Sequence, residues 1–118
     1  MEAYFNMVDF NNYYNNEDKF ESEMVEMIRS YVEDKKRDWF YEDLKIDEIK
    51  IREWYEGWYD HMIIDVKVSN GKTGRRLDGA DTFEYEFTFD EGKIRTATEI
   101  RRWGTYPNDF SYKTTLFE

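Results

Sequence analysis

The sequence predicts an α+β fold in which one long N-terminal amphipathic helix packs on a curved antiparallel sheet of four to five strands in meander order. Three observations carry this. Apolar residues recur at helical spacing through Phe20, Met24, Met27, Ile28 and Tyr31. Further on, the periodicity changes to two, most cleanly in TFEYEFTF over residues 82–89. Turn signals at Asn70-Gly71 and Asp90-Glu91-Gly92 separate the alternating runs, so consecutive strands pair antiparallel.

Each element follows in chain order, within a single domain spanning 1–118. Residues 1–16 are rich in Asn and aromatics and read as one short helix or a loop packed through Tyr4, Phe5, Val8 and Phe10. The helix spans 17–38. Asn16 supplies an N-cap, Glu17 and Asp18 occupy the first turn, and Lys35, Lys36 and Arg37 close the last, all of which suits the helix dipole. Trp39 and Phe40 are expected to pack its exit.

The sheet is expected over 46–103. Ile49 and Ile51 alternate with Glu48, Lys50 and Arg52, and Glu56-Gly57 turns the chain. Met62, Ile64, Val66 and Val68 share one face of the second strand. Phe83, Tyr85, Phe87 and Phe89 share one face of the third, with Glu84, Glu86 and Thr88 opposite. Ile94, Thr96, Thr98 and Ile100 continue on a fourth. Residues 104–118 hold a loop around the only proline and then a tail or edge strand, SYKTTLF. One ringed sheet face needs a cover, and the amphipathic helix provides it.

Composition narrows the chemistry. The chain has 118 residues and no cysteine, which removes disulfides, thiolate metal sites and cysteine nucleophiles. No apolar run reaches the roughly 18 residues of a membrane helix. MEAYFNMVDF lacks the basic head and apolar stretch of a signal peptide, so a cytoplasmic protein without membrane association is expected. The net charge of −10 is uneven: residues 1–60 carry 17 acids and 8 bases, residues 61–118 carry 10 and 9. The acidic half repels phosphates and attracts a basic partner.

The helical N-terminal part and the ending TFEYEFTFDEGKIRTATEIRRW give the chain a resemblance to the cystatin-like and NTF2-like α+β folds over about residues 17–103. An aromatic strand, an acidic-Gly turn and Gly92-Lys93-Ile94 carry it. The resemblance implies a sheet wrapped over a helix. The superfold hosts enzymes, ligand binders and protein-binding modules, so it does not by itself select a function.

Motifs for catalysis are sparse. His61 is the only histidine, and its neighbour Asp60 points to the other side of a strand. Asp65 lies too far along the strand to touch it, which leaves only a cross-strand acid as a dyad partner. Ser22, Ser30, Ser69 and Ser111 stand in no nucleophile elbow. One histidine with carboxylates is a poor zinc set. Gly71-Lys72-Thr73 resembles the end of a P-loop, but the glycine required five residues earlier is Val66. Arg75-Arg76 and Arg101-Arg102 are too few for a nucleic-acid groove and are expected to pair with Glu84, Glu86 or Glu99. No catalytic, metal or cofactor residues are therefore assigned.

Two surfaces remain. Acids Asp38, Glu42, Asp43, Asp47 and Glu48 lie between the helix and the first strand and join the helix acids Glu17, Asp18, Glu21, Glu23, Glu26, Glu33 and Asp34. The rings Trp54, Tyr55, Trp58 and Tyr59 flank Glu56-Gly57 at a hairpin tip, about half facing the core and half outward. The expectation is a small acidic, non-catalytic protein-binding module, of the inhibitor, immunity or phage-antagonist kind, acting on a basic or nucleic-acid-binding protein. The alternatives are an NTF2-like small-molecule or enzyme domain with an aromatic pocket around Tyr85 and Phe87, and a module that dimerises with its own copy.

Overall fold

The structure, a computed structural model, describes residues 1–38, 43–55, 60–75, 80–103 and 110–118. The chain opens with a 3-10 turn at Glu2–Met7 and a single helical turn, α1, at Asn12–Asn15. The long helix α2 runs Glu17–Asp38, the span its cap and charge pattern predict. The Asn16 side chain accepts a hydrogen bond from the Lys19 backbone N–H at 3.2 Å, one of the donors that a helix start leaves without an internal partner.

Five strands follow: β1 Leu44–Tyr55, β2 Asp60–Asn70, β3 Ala80–Asp90, β4 Lys93–Trp103 and β5 Phe110–Phe117. They form one antiparallel sheet in order β1-β2-β3-β4-β5, with β1 and β5 as its edges. SYKTTLF is thus a strand. Trp39, Phe40, Glu56-Gly57 and the proline loop lie outside the described residues.

Irregularities in β1 decide what faces α2. The pairing with β2 shifts register between Ile46 and Glu48 and again between Ile51 and Glu53. Each extra residue reverses the alternation. Leu44, Ile46, Ile49, Ile51 and Trp54 therefore all meet the core, although no single period of two joins them. The strand also starts at Leu44 rather than 46.

A third shift, between Thr88 and Phe89, pairs Thr96 with Thr88 but Ile94 with Phe89. The ladder Ile94, Thr96, Thr98, Ile100 is therefore corrected: beyond Ile94, Ala97 and Glu99 turn toward α2 and are buried. The opposite face takes Thr98 and Ile100.

Beneath α2, Phe20, Met24, Met27, Ile28 and Val32 meet Met62, Ile64 and Val66 of β2 and Phe83, Tyr85 and Phe87 of β3. The two ends of this layer differ in chemistry. Near the start of α2, Tyr13, Phe20, Trp54 and Phe89 form a cluster in which all six ring pairs lie 5.2–5.9 Å apart. Edge-on geometry dominates, as aromatic quadrupoles prefer. Near its end the layer is polar and charged. In the β3–β4 turn, Glu91 and Gly92 both have positive φ, 52° and 74°, the pattern of a type I′ hairpin. No helix among the described residues is long and apolar enough to cross a membrane.

Candidate functional site

A recess opens along the seam between α2 and the edge strand β1. A hollow of about 750 Å³ opens there, lined by Asp18, Glu21, Ser22, Val25 and Glu26 of the helix and by residues 49–54 of the strand. Spacings of three and four put these helix residues on one face. Farther along the same seam a second hollow, of about 420 Å³, runs from Glu33 across Leu44 and Ile46 to Gly71 and Lys72.

The helical wall of the seam thus presents Asp18, Glu21, Glu26 and Glu33. Arg29, which neighbours Glu26 one turn on, is held by it at 3.5 Å. On the strand wall, the Arg52 guanidinium is engaged on the open sheet face by Asp65, at 2.9 Å, and by Glu84. Burial works against its charge, yet the two acids raise its pKa above the usual value. Val25, Ile49 and Ile51 are half-buried and give the recess apolar patches.

Of the acids that the sequence singles out, Asp43 borders this seam, whereas Asp47 and Glu48 lie beside shallow hollows on the open sheet face with Lys67 and Thr82. Asp43 faces Lys72 at 3.3 Å beside the second hollow. Asp47 lies 3.8 Å from Lys45, and Glu48 lies 3.9 Å from Lys67. All three pairs are solvent-exposed and contribute little to stability. They leave a charged surface around the lower end of β1.

The ringed tip divides as adjacent strand residues must. Trp54 turns toward α2, joins the four-ring cluster, and donates its indole N–H to Glu17 at 2.8 Å. Tyr55 turns to the open sheet face, stays 56% exposed, and stacks on His61 with ring centroids 5.1 Å apart. Trp58 and Tyr59 lie outside the described residues. One cross-strand acid, Glu53, lies 3.5 Å from the Nε2 of His61. This is a half-exposed packing pair at a hairpin end, beside a stacked tyrosine.

A buried charged cluster lies under the end of α2, where the sequence predicts only surface pairing for Glu99. Glu99 accepts hydrogen bonds from the Tyr85 hydroxyl at 2.7 Å and from Arg101 Nε at 3.1 Å, and its carboxylate lies 2.8 Å from Lys35 Nζ. Lys35 and Glu99 are both almost completely buried. Burial alone would raise the carboxyl pKa, but Lys35, Tyr85 and Arg101 hold it below the usual range. Burial depresses the Lys35 ammonium despite the attraction of Glu99. It also raises the Tyr31 hydroxyl to about 12 and the Tyr85 hydroxyl well above its ordinary value, with the Glu99 charge adding to both.

Such a cluster resembles an acid–base site only in composition. Glu99 already accepts hydrogen bonds from Tyr85 and Arg101 and pairs with the Lys35 charge, and it borders neither seam hollow. Tyr85 and Phe87 are completely buried in the core beneath α2. The sequence signal for Glu99 was weak: a lone acid in a strand looks solvent-facing unless the bulge at Arg95 is known. No group of three or more potential metal ligands occurs among the described residues. No protein-family model matches the chain, and neither curated proteins nor solved structures yield a match.

Proposed function

We propose that this chain is a small acidic, non-catalytic protein-binding module that engages a partner with a basic surface, in the manner of an inhibitor, immunity protein or antagonist. The observation that carries the reading is the α2–β1 seam: an elongated open recess whose helical wall presents four carboxylates, beside a sheet edge. A recess of this shape suits a protein segment better than a small molecule, which needs a more enclosed cavity. The carboxylates speed encounter with a basic partner and disfavour nucleic acid. Tyr55, exposed and stacked on His61, extends the contact surface around the hairpin end.

The experiment compares the wild-type chain with Asp18→Lys/Glu21→Lys as immobilised baits. A partner retained by the wild type is then titrated in purified form at low and high salt. The expected result is a basic protein whose affinity falls at least ~10-fold on charge reversal and falls again with salt, as screened contacts require. Equal binding of every retained protein by both baits sinks the reading.

A further inference from the structure

We infer that the outer edge of β1 accepts an extended basic segment of the partner as a sixth strand, with every second side chain of that segment a lysine or arginine reaching into the α2–β1 seam. This rests on the binding-module reading and specifies its mode. β1 has β2 on one side and, among the described residues, no strand on the other. A strand directs alternate N–H and C=O groups to each side, so the outer row is a template for another chain.

The seam lies directly against that edge. Residues 49–54 line the large hollow, so a strand laid beside them projects half its side chains under α2 and half onto the open face. Those under α2 cross the half-buried Val25 and Ile49 and meet Asp18, Glu21 and Glu26. A long basic side chain fits both requirements, because its methylenes cover the apolar patch while its charged end reaches the carboxylates. A short acidic or aliphatic side chain satisfies one at most.

β1 also limits what it accepts. Its two register shifts leave a regular run of Glu48–Ile51 between them, and Lys45 and Lys50 stand on the strand. Bulges and edge lysines block open-ended pairing. Backbone pairing is therefore confined to about four residues, and the acidic wall supplies the selectivity.

The test uses the full chain and a capped peptide of about ten alternating lysines and valines, long enough to span 49–54 at ~3.3 Å per residue. Amide exchange is measured by NMR with and without peptide. The expected result is at least ~10-fold slower exchange at alternate amides within 48–51. A peptide N-methylated at every residue should bind at least ~10-fold more weakly, since it cannot pair with the edge. Equal binding by the N-methylated peptide, or protection that bypasses β1, overturns strand addition alone. Equal binding by the folded Asp18→Lys/Glu21→Lys protein overturns the basic-segment assignment together with the module reading. Protection that grows with protein concentration in the absence of peptide assigns the edge to a second copy of the chain and overturns the proposal.

Discussion

The Lys35 ammonium on α2 lies 2.8 Å from the Glu99 carboxylate on β4, and both side chains are shut off from solvent between helix and sheet. The pair ties the last turns of α2 to the fourth strand. Removing one partner takes the nearest counter-charge from a group that stays buried. Lys35→Met and Glu99→Leu should each destabilise the chain by roughly 3–5 kcal/mol, while the double substitution should lose far less than the sum. Denaturant unfolding of the four proteins measures the coupling; additive losses would show that the pair acts as two independent groups.

Acid should unfold the protein through the same group. The folded-state pKa of Glu99 lies below its ordinary value of 4.5. Its stabilising contribution is therefore present above about pH 4.5 and is lost as pH falls through the lower, folded-state value. Glu99→Gln should be less stable at neutral pH and show a shallower loss on acidification. An acid limb identical to the wild type would assign that loss to other carboxylates.

At alkaline pH the sign reverses. Tyr31, raised to about 12, and Tyr85, raised well above 10 by burial, keep their protons where the unfolded chain loses them near 10. Their contribution is present below about pH 10 and is lost as pH rises toward 12. Tyr85→Phe should flatten the fall in stability across that window. Spectroscopic titration at the tyrosine absorbance provides a second readout, with one late-titrating tyrosine missing from the variant.

The hairpin rings should separate by role. Trp54→Ala removes one member of the four-ring cluster and should cost roughly 3–5 kcal/mol. Tyr55→Ala, at an exposed position, should stay within about 0.5 kcal/mol and affect partner binding instead. Equal stability losses in thermal unfolding would contradict the division of the tip between the two faces.

Gly92 should resist substitution for two reasons. Its φ is +74°, and a Cβ placed there would come within 2.6 Å of the Tyr14 ring. Gly92→Ala should destabilise the chain by at least ~1 kcal/mol. Adding Tyr14→Ala should recover the part due to the ring and leave the backbone part, which separates the two causes.

Local signals in the sequence define the helix, four strands and their order of pairing, while the fifth strand is left open between a tail and an edge strand. Asn16, the acidic first turn and the Phe20–Tyr31 stripe are local signals, read within one element by hydrogen-bonding capacity and period. The turn at Glu91-Gly92 likewise states its own geometry. Tertiary structure decided what faced what. LKIDEIKIREWY spaces its apolar residues two, three, two, three apart, and only pairing against the regular β2 shows that each three is a bulge. The same holds for Arg95, whose insertion turns Glu99 from an expected surface acid into a buried one. The seam is likewise a property of two elements at once. Helical period arranges Asp18, Glu21 and Glu26, but only the position of β1 at the sheet edge makes them the wall of a recess. Periodicity specifies the faces of an element, whereas register and edge position arise from contacts between elements distant in the chain.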